Sequence, residues 1–210
     1  MSIHIDGQGI GSIFVGSQPV AEVYRGADLV WSAQSWDFFD DFERSTIGSA
    51  WQGSGGVIVD GALKKNTSAG TARYMINQRF DSDDLTVEVV IGTTQDRAQP
   101  AVILIGDPPD GDFVALSFSK DRFHAFGFDG GWPGYGDFPA QPLADGDKIT
   151  LSRTGTQFTV LYNGTQIGTF TSGIARGAGY RRVGVEVNMA LNFFVRWYGP
   201  TIDEVRVRTT

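Results

Sequence analysis

The sequence predicts an all-β protein, an antiparallel sandwich built from many short strands. Three observations predict it. Two-residue turns punctuate the chain, and Asn163-Gly164 and Asp60-Gly61 are the strongest, because a type I′ hairpin needs positive φ at both central positions. Apolar residues alternate with period two on either side of those turns, as they must where one face of a strand is buried. No stretch carries the spacing of an amphipathic helix, so strands follow strands without the helical crossovers of a parallel sheet.

The clearest segment runs from Asp145 to Phe170. Pairing across Gly155-Thr156 sets Leu151 opposite Val160 and Ile149 opposite Tyr162. Pairing across Asn163-Gly164 sets Val160 opposite Ile167 and Phe158 opposite Thr169. One face then carries Ile149, Leu151, Phe158, Val160, Tyr162 and Ile167, and Lys148, Thr150, Ser152, Gln157, Thr159 and Gln166 point the other way.

Taken in order, residues 1–34 differ in texture from the rest. Ile13–Val15, Val20–Tyr24 and Leu29–Trp31 are short strand-like runs, separated by Gly16-Ser17-Gln18-Pro19 and Arg25-Gly26-Ala27-Asp28. So small a meander is marginal alone, so it is expected to dock on a partner surface through Ile13, Val15, Val23, Leu29 and Trp31. Residues 35–210 form the strand-rich domain. Trp51 ends an opening loop as an aromatic anchor, and Val57–Val59 and Ala62–Lys64 flank Asp60-Gly61. Leu85, Val87, Val89 and Ile91 alternate in a half-buried strand, and Ala101–Ile105 is apolar throughout, as suits a strand covered on both faces. Val114, Leu116 and Phe118 alternate, as do His124, Phe126 and Phe128, and later Val183, Val185, Val187 and Met189. Ile202–Arg208 is the last strand.

Composition agrees and excludes several functions. With 41% hydrophobic residues and 15 Phe the chain can bury a large core, and its 28 Gly supply turns. It has no cysteine, hence neither disulfides nor a thiolate metal site. A net charge of −7 argues against nucleic acid as a partner. No apolar run is long enough for a membrane span, and MSIHIDGQGIGS does not read as a signal peptide.

From Phe39 onward the chain resembles a concanavalin A-like lectin/glucanase jelly roll, the laminin-G-like sandwich. The segments that carry the resemblance are DDFERSTIGSAW (40–51), VDGAL (59–63), DGDKITLSRTG with VLYNGTQIG (145–168) and IDEVRV (202–207). The first 34 residues, with IFVGSQPVAEVYRGADLVWS, are similar to the amino-terminal segment of minor tail proteins of phages that infect actinobacteria. Together these imply a two-sheet antiparallel jelly-roll sandwich preceded by a small N-terminal β-meander. They also imply a virion location in the tail, other tail proteins as partners, and adhesion to host cell-wall glycan or decoration of the tail tip. Homo-oligomerisation is expected from the rotational symmetry of tails. The alternative is a cellular or secreted carbohydrate-binding module and, after it, a glycoside hydrolase.

Enzymes of the resembling superfamily use closely spaced glutamates and an aspartate on one strand, two of the carboxylates acting as acid and nucleophile. Glu22, Glu43, Glu88, Glu186 and Glu204 are the only glutamates here and none forms that pattern, so the expectation is a protein that is not an enzyme. His4 and His124 allow no paired-histidine metal site. Asp40 and Asp41, on the first strand of the domain, and Asp203, on the last, are hard oxygen ligands. The resemblance sets those strands side by side, which makes them candidate ligands for a structural Ca²⁺. The loop 128–138 is the candidate glycan site: glycines let it project, Trp132 and Tyr135 offer flat faces to sugar C–H groups, and Asp129 and Asp137 offer acceptors.

Overall fold

The computed structural model describes residues 13–15, 18–20, 22–25, 28–32, 36–94, 99–108, 111–192 and 195–209. The chain divides into two compact units, 1–36 and 37–210. In the first, Ile13–Val15 (β1) pairs with Gln18–Val20 (β2), and Glu22–Arg25 (β3) pairs with Asp28–Ser32 (β4), all antiparallel. The run Val20–Tyr24 is therefore shared between two separate hairpins rather than being the middle strand of a meander. Pro19, which cannot donate to a ladder, sits in β2, where a two-stranded pairing leaves one side open. The side chains of Ile13, Val15, Val23, Leu29 and Trp31 lie outside the described residues.

The second unit begins with Phe38–Asp40 (β5), Trp51–Ser54 (β6), Gly56–Val59 (β7), Ala62–Lys65 (β8), Gly70–Ile76 (β9) and Leu85–Ile91 (β10). There follow Ala101–Gly106 (β11), Phe113–Ser119 (β12), Arg122–Phe128 (β13), Gly134–Phe138 (β14) and Lys148–Thr154 (β15). Gln157–Tyr162 (β16), Thr165–Thr171 (β17), Val183–Asn192 (β18), Val195–Tyr198 (β19) and Ile202–Thr209 (β20) complete it. One sheet has the order β17-β16-β15-β10-β20-β8-β7, with β5 also on β20. The other has the order β14-β13-β12-β11-β18-β9-β6, with β19 also on β18. This is a two-sheet antiparallel jelly-roll sandwich. Among the described residues the only helical element is the 3₁₀ turn Ala178–Tyr180, and no helix is long and apolar enough to cross a membrane.

The inner faces interdigitate as the alternation requires. Val87, Val89, Leu151 and Phe158 from the first sheet meet Ile103, Leu116, Phe118 and Val185 from the second, all fully buried. β11 is buried along its whole length, as its unbroken apolar run demands. Asp60 and Gly61 (φ 52° and 75°) and Asn163 and Gly164 (φ 49° and 77°) adopt the positive values that type I′ turns need. The second turn is further tied by Asp147, which accepts from Asn163 Nδ2 at 2.8 Å and from the Tyr162 hydroxyl at 2.7 Å. Burial, and then the Asp147 carboxylate, push the Tyr162 phenol up to about 12.

The expected register holds across Gly155-Thr156, with Leu151 opposite Val160 and Ile149 opposite Tyr162. Across Asn163-Gly164 it shifts by one. Val160 faces Gly168 and Phe158 faces Phe170, because a bulge falls between Val160 and Leu161. The shift stacks the Phe170 ring on Phe158 at 4.8 Å and sets Gly168 under Phe138, where a Cβ would come within 2.2 Å of the ring. The inward face of β15 also carries Arg153, 1% exposed, whose Nη1 donates to the Ala175 carbonyl at 2.7 Å. Burial lowers its pKa, and its guanidinium lies 5.5 Å from the Phe158 ring.

Candidate functional site

The second sheet has a well-furnished outward face, and strand pairing defines it. Leu116 and Val114 point into the core, and their partners on β13 are Ala125 and Gly127. Hence Phe123, Ala125 and Gly127 face inward, and His124, Phe126 and Phe128 face outward beside Phe113, Ala115 and Ser117 of β12. Continuing across the sheet, Val102 and Leu104 of β11 pair with Glu186 and Gly184 of β18, which pair with Arg73 and Met75 of β9. Gln52 and Ser54 of β6 complete these rows.

The β13 end of the face is aromatic. The Trp132 ring lies 5.1 Å from Phe128, 5.9 Å from Phe113 and 6.2 Å from Phe126, and it remains 68% exposed. Buried Met75, Val102, Leu104 and Ala115 lie with Phe113 in one apolar cluster, against which Phe126 and Phe128 pack. Beside them Asp137 accepts from Arg122 Nε at 2.6 Å and meets His124 Nδ1 at 2.9 Å. The bond from Arg122 leads the effects that hold the Asp137 carboxyl below the usual range, with His124 adding to it. Asp129 is exposed in the turn leading to Trp132. Tyr135 departs from this group. Its ring stacks on Phe170 at 5.2 Å and its hydroxyl bonds Ser172 Oγ at 2.8 Å, so it packs against the sandwich core. Of the four residues expected in the glycan site, the structure thus sets Trp132 and Asp137 on one face and turns Tyr135 away from it.

The β9 end is polar and concave. A cleft of about 620 Å³ is lined by Gln52, Ser54, Thr71, Arg73, Met75, Asp107 and Arg182. Arg73 Nε pairs with Glu186 Oε1, and Glu186 is only 8% exposed. Arg182 donates Nη1 to Asp107 Oδ1 at 2.7 Å and Nη2 to Gln52 Oε1 at 3.2 Å. Gly184 lets Met75 lie flat here, since a Cβ would stand 2.3 Å from its Sδ. The two ends meet: Arg73 Cζ is 5.9 Å from the Phe113 ring, and Met75 both lines the cleft and belongs to the apolar cluster. No motif in the sequence marks Arg73, Arg182, Asp107 or Gln52, and Glu186 belongs to no carboxylate pattern. Its signal was the polar series Gly184, Glu186, Asn188 on a strand whose other face is wholly apolar.

The expected calcium ligands occupy separate settings, although β5 and β20 do lie side by side with Asp40 opposite Val205. Asp40 takes two bonds from Arg44, at 2.5 and 2.6 Å, and one from Trp51 Nε1 at 2.5 Å. Burial pushes the Asp40 carboxyl up, but the bonds from Arg44, Trp51 and the Phe42 amide outweigh it and hold it below its usual range. Asp41 accepts from the Glu43 amide at 3.1 Å. Asp203 lies against Gly92 and is pushed up, first by burial and then by Asp145, Glu204 and Glu43. Among the described residues, no three His, Cys, Asp or Glu side chains gather as a metal shell.

No family model and no curated protein matches the sequence. Solved structures do resemble it. A Bacillus licheniformis β-glucanase aligns with TM-score 0.64 at 12% identity, over 82% of this chain and 98% of that one. A structure of the endo-acting O-glycanases that human gut microbiota express to initiate mucin breakdown aligns with TM-score 0.57 at 12% identity, over 83% and 99%. The carbohydrate-binding module CBM66 from Bacillus subtilis aligns with TM-score 0.51 at 12% identity, over 79% and 94%. At such identity the likeness is one of fold. It corrects the expectation of a non-enzyme: the same architecture serves a glucanase and O-glycanases as well as a binding module, so a missing motif on one strand does not exclude hydrolysis.

Proposed function

We propose that the chain binds a glycan on the outward face of the second sheet. The observation that carries this reading is an exposed indole on a cluster of three phenylalanines, joined through Arg73 and Met75 to a cleft of paired charges, amide and hydroxyl. Sugars present apolar C–H faces to aromatic rings and hydroxyls to planar polar groups. Four inter-strand steps separate β9 from β13, about 19 Å, enough for several sugar rings. The fold likeness to a carbohydrate-binding module supports the reading. A glycan array followed by titration of the full chain tests it, with Trp132→Ala expected to weaken the strongest interaction about tenfold; an unchanged array profile overturns it.

A second reading, hydrolysis of the bound glycan, is favoured by the likeness to a β-glucanase and by Glu186, a shielded carboxylate on a central strand of that face. Reducing sugar released by the parent chain, and abolished by Glu186→Gln, is the expected sign. The resemblance of residues 1–34 adds that the glycan belongs to a host surface and that the chain is carried in a phage tail, with other tail proteins and further copies of itself as partners. Detection of the chain in purified particles, lost when residues 1–34 are deleted, tests that placement.

A further inference from the structure

We infer, on the basis of the glycan reading above, that the ligand is an uncharged saccharide rather than an acidic one. Among the described residues, the cations that line the cleft are Arg73 and Arg182, and each already holds a carboxylate, Glu186 and Asp107 respectively. Arg79 also approaches Asp107, at 3.7 Å. At the aromatic end Arg122 and His124 share Asp137.

A sulfate or uronate entering the site meets guanidiniums whose charge a carboxylate already balances, so it gains a net ionic attraction only by displacing that partner. Against Arg73 that strips the counter-ion from Glu186, which has little access to water, and an uncompensated shielded carboxylate is costly. Asp107 and Asp137 would repel the incoming anion, and a net charge of −7 adds to the effect at long range. A sugar hydroxyl meets no such obstacle. It donates and accepts at once, so it bridges a guanidinium and a carboxylate while leaving the pair intact. A guanidinium has five N–H groups, so one engaged through Nε keeps donors for hydroxyls. Gln52, Ser54 and Thr71 supply further neutral groups to the same wall.

The test is calorimetric titration of the full chain with neutral gluco-, galacto-, xylo- and manno-oligosaccharides, and with carboxymethylated and sulfated derivatives of each. The expected result is binding to at least one neutral series, with its acidic derivatives weaker by about tenfold or more. The neutral Kd should stay nearly constant from about 0.05 to 0.5 M NaCl, because no net charge is neutralised. Glu186→Gln, and separately Asp107→Asn should the first fail to fold, would release an arginine and move the preference toward the sulfated derivative. Tighter binding of an acidic derivative, weakening steeply with salt, overturns this inference and leaves the glycan reading standing. No binding to any member of the panel overturns both.

Discussion

On the outward side of the first sheet Glu88 lies 3.6 Å from Lys148 and 3.4 Å from Arg206, and Thr86 bonds Ser152 at 2.9 Å. On the outward side of the second sheet three phenylalanines gather under Trp132 beside a concave polar wall. Both sheets spend the same alternating inner residues on one core, so the difference lies wholly in the other parity of each strand. The first face is held mainly by charged and hydroxyl groups that satisfy one another across strands, with Phe39, Val57 and Val59 exposed on β5 and β7, whereas the second has a buried apolar layer of its own.

That contrast can be broken most directly through stability. Leu104→Ala, at an outward position of β11 that is 1% exposed, should cost about 2–5 kcal/mol, whereas Thr159→Ala at an outward position of β16 should stay within about 0.5 kcal/mol. Denaturant midpoints decide it, and equal small losses would mean that the second sheet has no apolar layer on its far side. Next in size, Trp132→Ala should weaken glycan binding about tenfold, or ~1.4 kcal/mol, with the melting temperature nearly unchanged, and Glu88→Gln on the opposite face should leave affinity alone. Gly164→Val should then cost about 1 kcal/mol, since a β-branched residue resists the φ of 77° on which the β16–β17 hairpin depends. A melting temperature within error of the parent would sink that turn assignment.

The smallest effect is one of pH. Against the upward push of burial, the Arg44, Trp51 and Phe42 bonds hold the Asp40 carboxyl below its ordinary value in the folded chain. Its contribution is therefore complete above the unfolded value and is lost as pH falls through the lower, folded one. Asp40→Asn should accordingly lower stability at neutral pH and flatten the acid limb below about pH 4 in urea titrations. Parallel curves for parent and variant would show that the Arg44 and Trp51 bonds add nothing.

The hairpins were legible because their signal is local. Asp60-Gly61 and Asn163-Gly164 state their own backbone angles, and the single apolar parity of β10 and β15 states their inner face. What was not legible depends on neighbours. The bulge after Val160 is settled by whether Phe170 can stack on Phe158, a contact the β16–β17 segment does not announce. β13 offers an apolar series in either parity, Phe123-Ala125-Gly127 or His124-Phe126-Phe128, so only its pairing with β12 decides which faces the core. Tyr135 looked like a platform but belongs to the inner side, and Arg153 is inward on a strand whose pattern suggested only Ile and Leu there. The cleft residues come from the 52–54, 71–75, 107–108 and 182 segments, and no spacing within one segment could bring them together.

The pairing of β5 with β20 has a consequence for engineering. The Thr209 amide and hydroxyl bond Asp37 at 2.6 and 2.7 Å, and the Asp37 amide donates to the Val207 carbonyl at 2.8 Å. The two ends of the sandwich unit are therefore adjacent, and a short flexible linker can join them without deforming either strand. A circular permutant opened between Asn163 and Gly164, in an exposed turn, should keep the whole outward face of the second sheet while moving its attachment points from β5 and β20 to the β16–β17 edge of the first sheet. For the same reason the unit can be inserted into a surface loop of an unrelated carrier, because both junctions leave from one spot.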